Sequence, residues 1–500
     1  MQELKKSFWD FVTSLGASFL AIPLMIFSEA IQARYLGPDK YGQIALIISA
    51  ISFFFLFGIS WTERSIIRFG KEEFVKFGHI RKTTGNYIII TFFSFLFVIL
   101  IFFIFKNKIL NFLNIKSPKF IWVILLGLFL YSLKNFTFEA LKVVNLIKVQ
   151  AVLMRLVPKI IILIGLLPIV FGWVQLSVWY VIGVFLFSDF FVGISGLVFI
   201  RFKYLFPVMF DRMLLKKMIY FSFPLLFTAW TFYITTWVDT FVIKYYLKMR
   251  DVGIYQAAYK ILSTVNSILI NSIITVTTPL IMVFKTNNEI DKIKNFFMKR
   301  IVPQISFFAL IIVSTILVFS DVIFHIVYGN KFNESILPFK ILITTINLSM
   351  ISASINGIRI SFDMTKMMFI MGIFAAVVNF VADIILVKKF GMLGAAWASF
   401  TVFSLNPIIW YFYIYFKLGI KRHLSLVFPV FAIFIMFINI YFTNLFIRFF
   451  ITLILIIVAF ILSSKFNLFN KTDIKLIDRI DMPVKIKKTY EHLIKLATKL

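Results

Sequence analysis

Glu29-Ala30-Ile31-Gln32-Ala33-Arg34-Tyr35-Leu36-Gly37-Pro38-Asp39-Lys40-Tyr41-Gly42 closes the first long apolar run of this chain. About 210 residues later the chain runs through Asp239, Lys244-Tyr245-Tyr246-Leu247 and then Asp251-Val252-Gly253-Ile254-Tyr255. In both stretches an acid is followed five residues on by a base, then by Tyr and a turn with Gly. Read as copies of one another, they make the chain a duplicated membrane bundle, an architecture common among transporters.

The composition agrees with a bundle in lipid. Of the 500 residues 61% are hydrophobic and 15% charged, with a mean hydropathy of +0.96. A soluble protein of this size needs more polar surface than that. The absence of Cys excludes disulfides, thiolate catalysis and Cys-based metal sites. The four His (His79, His325, His423, His492) lack metal-ligand spacing. The net charge of +30 does not point to nucleic acid, because the bases sit in short loops between apolar runs.

A helical span needs about 20 mostly apolar residues. Fourteen such spans are predicted, at 8–30, 41–62, 86–106, 119–138, 150–171, 176–200, 218–240, 252–283, 301–320, 336–358, 367–387, 392–416, 424–443 and 445–464. With the N-terminus in the cytoplasm, 36 of the 52 Lys and Arg fall on the cytoplasmic side, 13 on the outer side and three within spans. Both termini are therefore expected in the cytoplasm. Six crossings separate the two motifs, so the repeats are parallel. The expected organisation is all-α, with an N-lobe at 1–210 (spans 1–6), a C-lobe at 211–420 (spans 7–12), spans 13 and 14 at 421–465, and a basic tail at 466–500. The tail reads either as a helix on anionic headgroups or as a solvated basic segment. Loops of at most about 25 residues leave no room for a soluble catalytic domain, and the outer segment 107–118 holds no Asp or Glu. An enzyme is not expected.

At these motifs the sequence resembles the polysaccharide-repeat-unit flippases of the multidrug/oligosaccharidyl-lipid/polysaccharide exporter superfamily. The likeness rests on Arg34 to Gly42, on Asp239 with Asp251-Val252-Gly253-Ile254-Tyr255-Gln256-Ala257-Ala258-Tyr259-Lys260, on Tyr328-Gly329-Asn330-Lys331-Phe332, and on Lys389-Phe390-Gly391-Met392-Leu393-Gly394-Ala395-Ala396-Trp397-Ala398. It covers about residues 5–420. The resemblance implies a MATE-like, two-lobed alternating-access carrier in a bacterial inner membrane. Its cargo would be an undecaprenyl-pyrophosphate-linked oligosaccharide for O-antigen, capsule or a related polymer. Polymerase and glycosyltransferases of the same pathway would be its partners. The rival readings are a cation-coupled multidrug exporter and a lipid II flippase of the same superfamily. No cofactor is expected beyond H+ or Na+ coupling.

Ionisable groups at membrane depth are functional candidates, because burying them is costly unless they face a cavity or a partner. A diphosphate on the path demands cations, and the candidates are Lys260, Arg155, Lys159, Lys134, Arg68 and Arg359. Lys260 shares a helix face with Gln256, Ser263 and Ser267; it reads either as cavity-lining or as snorkelling to the interface. Arg155 and Lys159, one turn apart, read as a headgroup entry site or as topology anchors. Glu29 and Asp239, at equivalent repeat positions, read as gating or coupling carboxylates or as partners of Arg34 and Lys244. Asp189 and Asp383 are alternative coupling sites. Glycines 37, 42, 253, 391 and 394 are expected at turns and close packing.

Overall fold

The computed structural model describes residues 2–113, 120–175, 177–420, 424–465 and Leu468. The amphipathic tail expected at 466–500 lies outside them, Leu468 apart. Among the described residues there are helices and turns but no strand. Thirteen helices are long and apolar enough to cross a membrane. One of them, Gln2–Gly58, is broken at Gly37, whose φ of 71° and ψ of 173° are not helical. Pro38 follows with no N–H to give the helix ladder, so the chain turns at Gly37-Pro38 and continues as a second helix. With the first of them broken at Gly37, these thirteen are roughly consistent with the fourteen predicted spans, and the chain is an all-α multi-pass membrane protein.

The chain divides into two compact units. The first comprises Met1–Ala257 with His325–Phe332, the second Ala258–Phe324 with Asn333–Leu500. This division falls inside the helix Met249–Thr286 rather than at 210/211.

In the first unit, Phe120–Val143 packs along Val178–Ile200, and both meet the helix containing the Gly37 break. Small residues allow close approach: Gly193 lies against Leu133 and Gly196 against Thr137. The short helix Glu63–Phe77 falls outside the spans. It buries Ile66, Phe69 and Gly70 and leaves Arg68 exposed, 4.0 Å from Glu72. Its Glu73 carboxylate accepts the backbone N–H groups of Lys82 (2.9 Å) and Thr83 (2.8 Å) and the Thr83 hydroxyl (2.8 Å). A helix leaves its first N–H groups unsatisfied, so Glu73 caps the span Arg81–Ile104. Asp211 does the same for Arg212–Tyr246. The N–H of Leu214 and the Lys82 ammonium hold its carboxyl below the usual carboxylate range.

In the second unit, Lys292–Val318 packs against Ile346–Ser354, Val427–Tyr441 and Leu445–Lys465. The last two spans are therefore part of this unit's packing. Polar bonds fasten them there: the Ser306 hydroxyl donates to the Ser425 carbonyl (2.8 Å), and Lys340 Nζ donates to the Asn439 carbonyl (2.9 Å). Lys340 (3.3 Å) and Arg448 both pair with Asp321, and both cations are buried.

Candidate functional site

The two motifs that suggested duplication make the same kind of bond. Glu29 is buried in the helix ahead of the Gly37 break, and Tyr41 donates its hydroxyl to Glu29 Oε2 at 2.7 Å. Asp239, 1% exposed, accepts a short hydrogen bond from the hydroxyl of Tyr255. Each acid therefore has a tyrosine partner from the helix beyond the turn. Arg34 donates to the carbonyls of His325 (3.3 Å) and Ile326 rather than to a carboxylate. Lys244 makes no ion pair among the described residues. Expecting these two bases as the acids' partners thus misread the local geometry.

The third motif joins the first. Tyr328 and Phe332 pack edge-on against Tyr41, with ring centroids 6.2 and 5.7 Å away. Gly42 and Gly253 meet backbone to backbone: a Cβ on Gly42 would lie 2.6 Å from the Gly253 nitrogen and closer still to the Met249 oxygen. A Cβ on Gly253 would fall 3.0 Å from the Gly42 nitrogen and nearer to the Pro38 oxygen. Only residues without side chains fit here. The repeated motifs form one sealed cluster in the first unit.

Deeper in the first unit Lys134 and Asp189 are neighbours. Their side chains form an ion pair at 2.6 Å, each about one-fifth exposed. Lys134 also lies 4.7 Å above the Tyr131 ring. Two candidates expected in different roles, one on substrate and one in coupling, thus neutralise each other. Arg155 is exposed within a π-helical turn at Val152–Leu156, and Lys159, just beyond that turn, is half-buried. Such a turn widens the helix where a functional feature often sits.

In the second unit Lys260 is half-buried, and its carbonyl accepts from the hydroxyls of Ser263 (2.9 Å) and Thr264 (2.8 Å). Gln256, expected on the same face, belongs to the first unit and bonds Thr240. Asp383 is fully buried and accepts from Asn379 Nδ2 at 2.7 Å, one helical turn away. That i, i+4 spacing was visible in the sequence.

Arg359 has the most open chemistry of the candidates. It lines a cavity of about 290 Å3 with Ser349, Ser352, Asn356 and Asn406. Its guanidinium donates to the carbonyl and to the hydroxyl of Ser352 (2.9 Å to the latter) and stands 5.0 Å from the Trp410 ring. Its Nε is buried without a hydrogen-bond partner, as is Asn406 Oδ1. Among the described residues no carboxylate pairs with Arg359. A cation in a membrane bundle with no counter-ion, beside a polar cavity, is poised to pair with an anion that enters it. The serines and asparagines around Arg359 gave no sequence signal, because scattered Ser and Asn on helices are common.

A model of the family described as "Polysaccharide biosynthesis protein" matches residues 11–285. A curated relative from Haloferax volcanii, the "Probable low-salt glycan biosynthesis flippase Agl15", is 24% identical over 198 residues. That match spans 39% of this chain and 40% of the relative. Among solved structures, the lipid II flippase MurJ in an inward closed conformation superposes with a TM-score of 0.68 at 18% identity, covering 91% of this chain and 99% of that one. An inward-facing MATE multidrug transporter superposes with a TM-score of 0.57 at 14% identity, covering 79% and 94%. At such identities the likeness is one of fold.

Proposed function

The chain belongs to the polysaccharide biosynthesis protein family, and from that premise we propose that it is a flippase for a lipid-linked oligosaccharide. The cargo we propose is undecaprenyl-pyrophosphate-linked, as used for O-antigen, capsule or a related surface polymer in a bacterial inner membrane. The observation that carries the reading is Arg359, a guanidinium without a carboxylate partner among the described residues beside a polar cavity. A diphosphate crossing low dielectric needs such a group, since an unpaired charge there is costly. Serine hydroxyls and asparagine amides around it are suited to phosphate oxygens and sugar hydroxyls.

In this reading the substrate's phosphates enter from the cytoplasmic side and meet Arg359; Lys260 in the same unit, and Arg155 and Lys159 in the first unit, are further candidate cations. Lys134 serves only if Asp189 releases it, which makes that pair a candidate for H+ or Na+ coupling. The Gly42–Gly253 cluster, on the outer side by the positive-inside count, closes the outer end of the first unit. A sugar-transferring enzyme would need catalytic carboxylates in a soluble domain or long loop, and the loops are too short to supply one.

Deleting the gene tests the reading. Cells without the protein are expected to accumulate lipid-linked repeat units facing the cytoplasm and to lose surface polymer. Normal surface polymer in a clean deletion without a paralogue would contradict it; drug sensitivity with normal polymer would instead favour a multidrug exporter.

A further inference from the structure

A second cavity lies in the first unit, and none of its lining residues is among those discussed as substrate or coupling groups. It encloses about 340 Å3 between the spans Arg81–Ile104 and Phe120–Val143 and the turn after Val178–Ile200, a volume typical of small-molecule sites. Tyr87, Ile88, Phe92, Phe129, Phe136 and Leu205 form its walls. An apolar concavity facing lipid would by itself mean little. Its mouth is what distinguishes it.

Phe202, Leu205 and Phe206 line the cavity, and the segment that carries them is stitched to the start of the span Arg81–Ile104. Ile80 N–H donates to the Tyr204 carbonyl (2.9 Å), Met209 N–H to the Arg81 carbonyl (3.2 Å), and the Arg81 guanidinium to the Lys203 carbonyl (3.2 Å). Arg81 lies one turn before Thr84, a lining residue, and its Nε is buried without a hydrogen-bond partner. Arg201 and Lys203, flanking Phe202, are exposed. Across 79–82 and 201–212 there are five Lys and Arg but one carboxylate, Asp211, and that one is taken by Lys82 at 3.1 Å. The site is therefore a greasy groove beside a basic collar, with one guanidinium held by a single backbone carbonyl.

We infer that this groove binds the isoprenoid chain of the lipid-linked substrate when it first docks, with its phosphate on Arg81 and Lys203 before that phosphate passes to Arg359. The assignment rests on the flippase reading and deepens it: the chain anchors in the first unit while the polar part of the cargo moves. Aromatic walls suit a methyl-branched unsaturated chain, and the collar supplies the charge-assisted bonds that a phosphate head requires.

The test uses the purified full chain in detergent and three probes: a long-chain polyprenyl phosphate, the corresponding polyprenol, and phosphatidylglycerol. Three variants are compared with wild type: Arg81→Ala, Lys203→Glu at an exposed position, and Ile88→Trp at an exposed wall of the groove. Melting without lipid checks that each is folded. Polyprenyl phosphate is expected to bind wild type most tightly. Each charge variant should weaken it about tenfold, the effect of losing one charge-assisted hydrogen bond. Ile88→Trp should weaken both polyprenyl probes. Unchanged binding to Ile88→Trp, or phosphatidylglycerol competing on equal terms, overturns the assignment and leaves the flippase reading standing. Wild type that binds the phosphate but translocates no lipid-linked glycan overturns the flippase reading, and with it the lipid's identity as substrate.

Discussion

At the scale of single residues, burial decides which charges are available. Glu63 opens the short helix Glu63–Phe77, outside the spans, and its Oε1 is buried without a hydrogen-bond partner. Burial, and next the neighbouring Glu139 carboxylate, push its pKa up to about 8 despite Arg64 and Lys142. The unfolded value lies near 4.5, so the folded protein holds a proton that the unfolded chain has lost between those limits. Stability from this site is complete below pH 4.5 and is lost as pH rises through about 8. Unfolding free energy should fall between pH 5 and pH 8.5 by on the order of a few kcal/mol, read as a lower apparent melting temperature. Glu63→Gln should flatten that fall; an unchanged slope would mean that Glu63 is ionised in the folded protein. The Lys134–Asp189 pair gives a second test. Lys134→Ala alone leaves a carboxylate uncompensated in the bundle and should cost about 3–5 kcal/mol. Adding Asp189→Asn should restore much of that loss in thermal melts, and simple additivity of the two changes would argue against a direct pair.

At the scale of elements, the break at Gly37 and the contact of Gly42 with Gly253 position the first and second repeats. Gly42→Val has no room to settle, because backbone atoms rather than flexible side chains stand where its Cβ would go. Overpacking of this kind costs about 1–3 kcal/mol or more, so the variant should melt lower and resist purification in folded form. Melting at the wild-type temperature would show that the two glycines part easily. This contact was half legible in the sequence. Repetition of the motif marked the glycines, but that the two copies touch is a consequence of tertiary packing. The acids were read less well. A five-residue offset turns about 500° around a helix, which leaves acid and base roughly 140° apart. Chain reversal at the turns instead delivers Tyr41 to Glu29 and Tyr255 to Asp239. Both tyrosines stand inside the quoted motifs, yet only the fold reveals them as partners.

At the scale of the whole molecule, apolar run lengths and loop charges sufficed to expect fourteen spans, and hydrophobic periodicity needs no tertiary information. The chemistry of the cavities did need it. Arg359 was a candidate by charge alone, whereas the cavity beside it is assembled from residues 270 to 407 on four helices. The final two spans were expected as an addition, and half-exposed Asp321, paired with buried Lys340 and Arg448, ties them to the second unit. Asp321→Asn removes the one carboxylate that serves two buried cations and should destabilise that unit by about 3–5 kcal/mol. Thermal melts or limited proteolysis between residues 442 and 445 would report it, and wild-type resistance would show that the cluster does not hold the pair.

The central claim is that the chain carries a lipid-linked oligosaccharide across the bilayer and pairs its phosphates with Arg359. The most direct measurement reconstitutes the full chain in vesicles loaded with fluorescent undecaprenyl-pyrophosphate-linked oligosaccharide and follows protection of the glycan from an external glycosidase. Wild type should exchange the glycan between leaflets, whereas Arg359→Ala, inserted to the same level, should slow exchange at least tenfold, since a charge-assisted bond is worth about 1.5–3 kcal/mol. Vesicles with wild-type protein that exchange glycan no faster than protein-free ones, or an Arg359→Ala rate equal to wild type, would contradict the account.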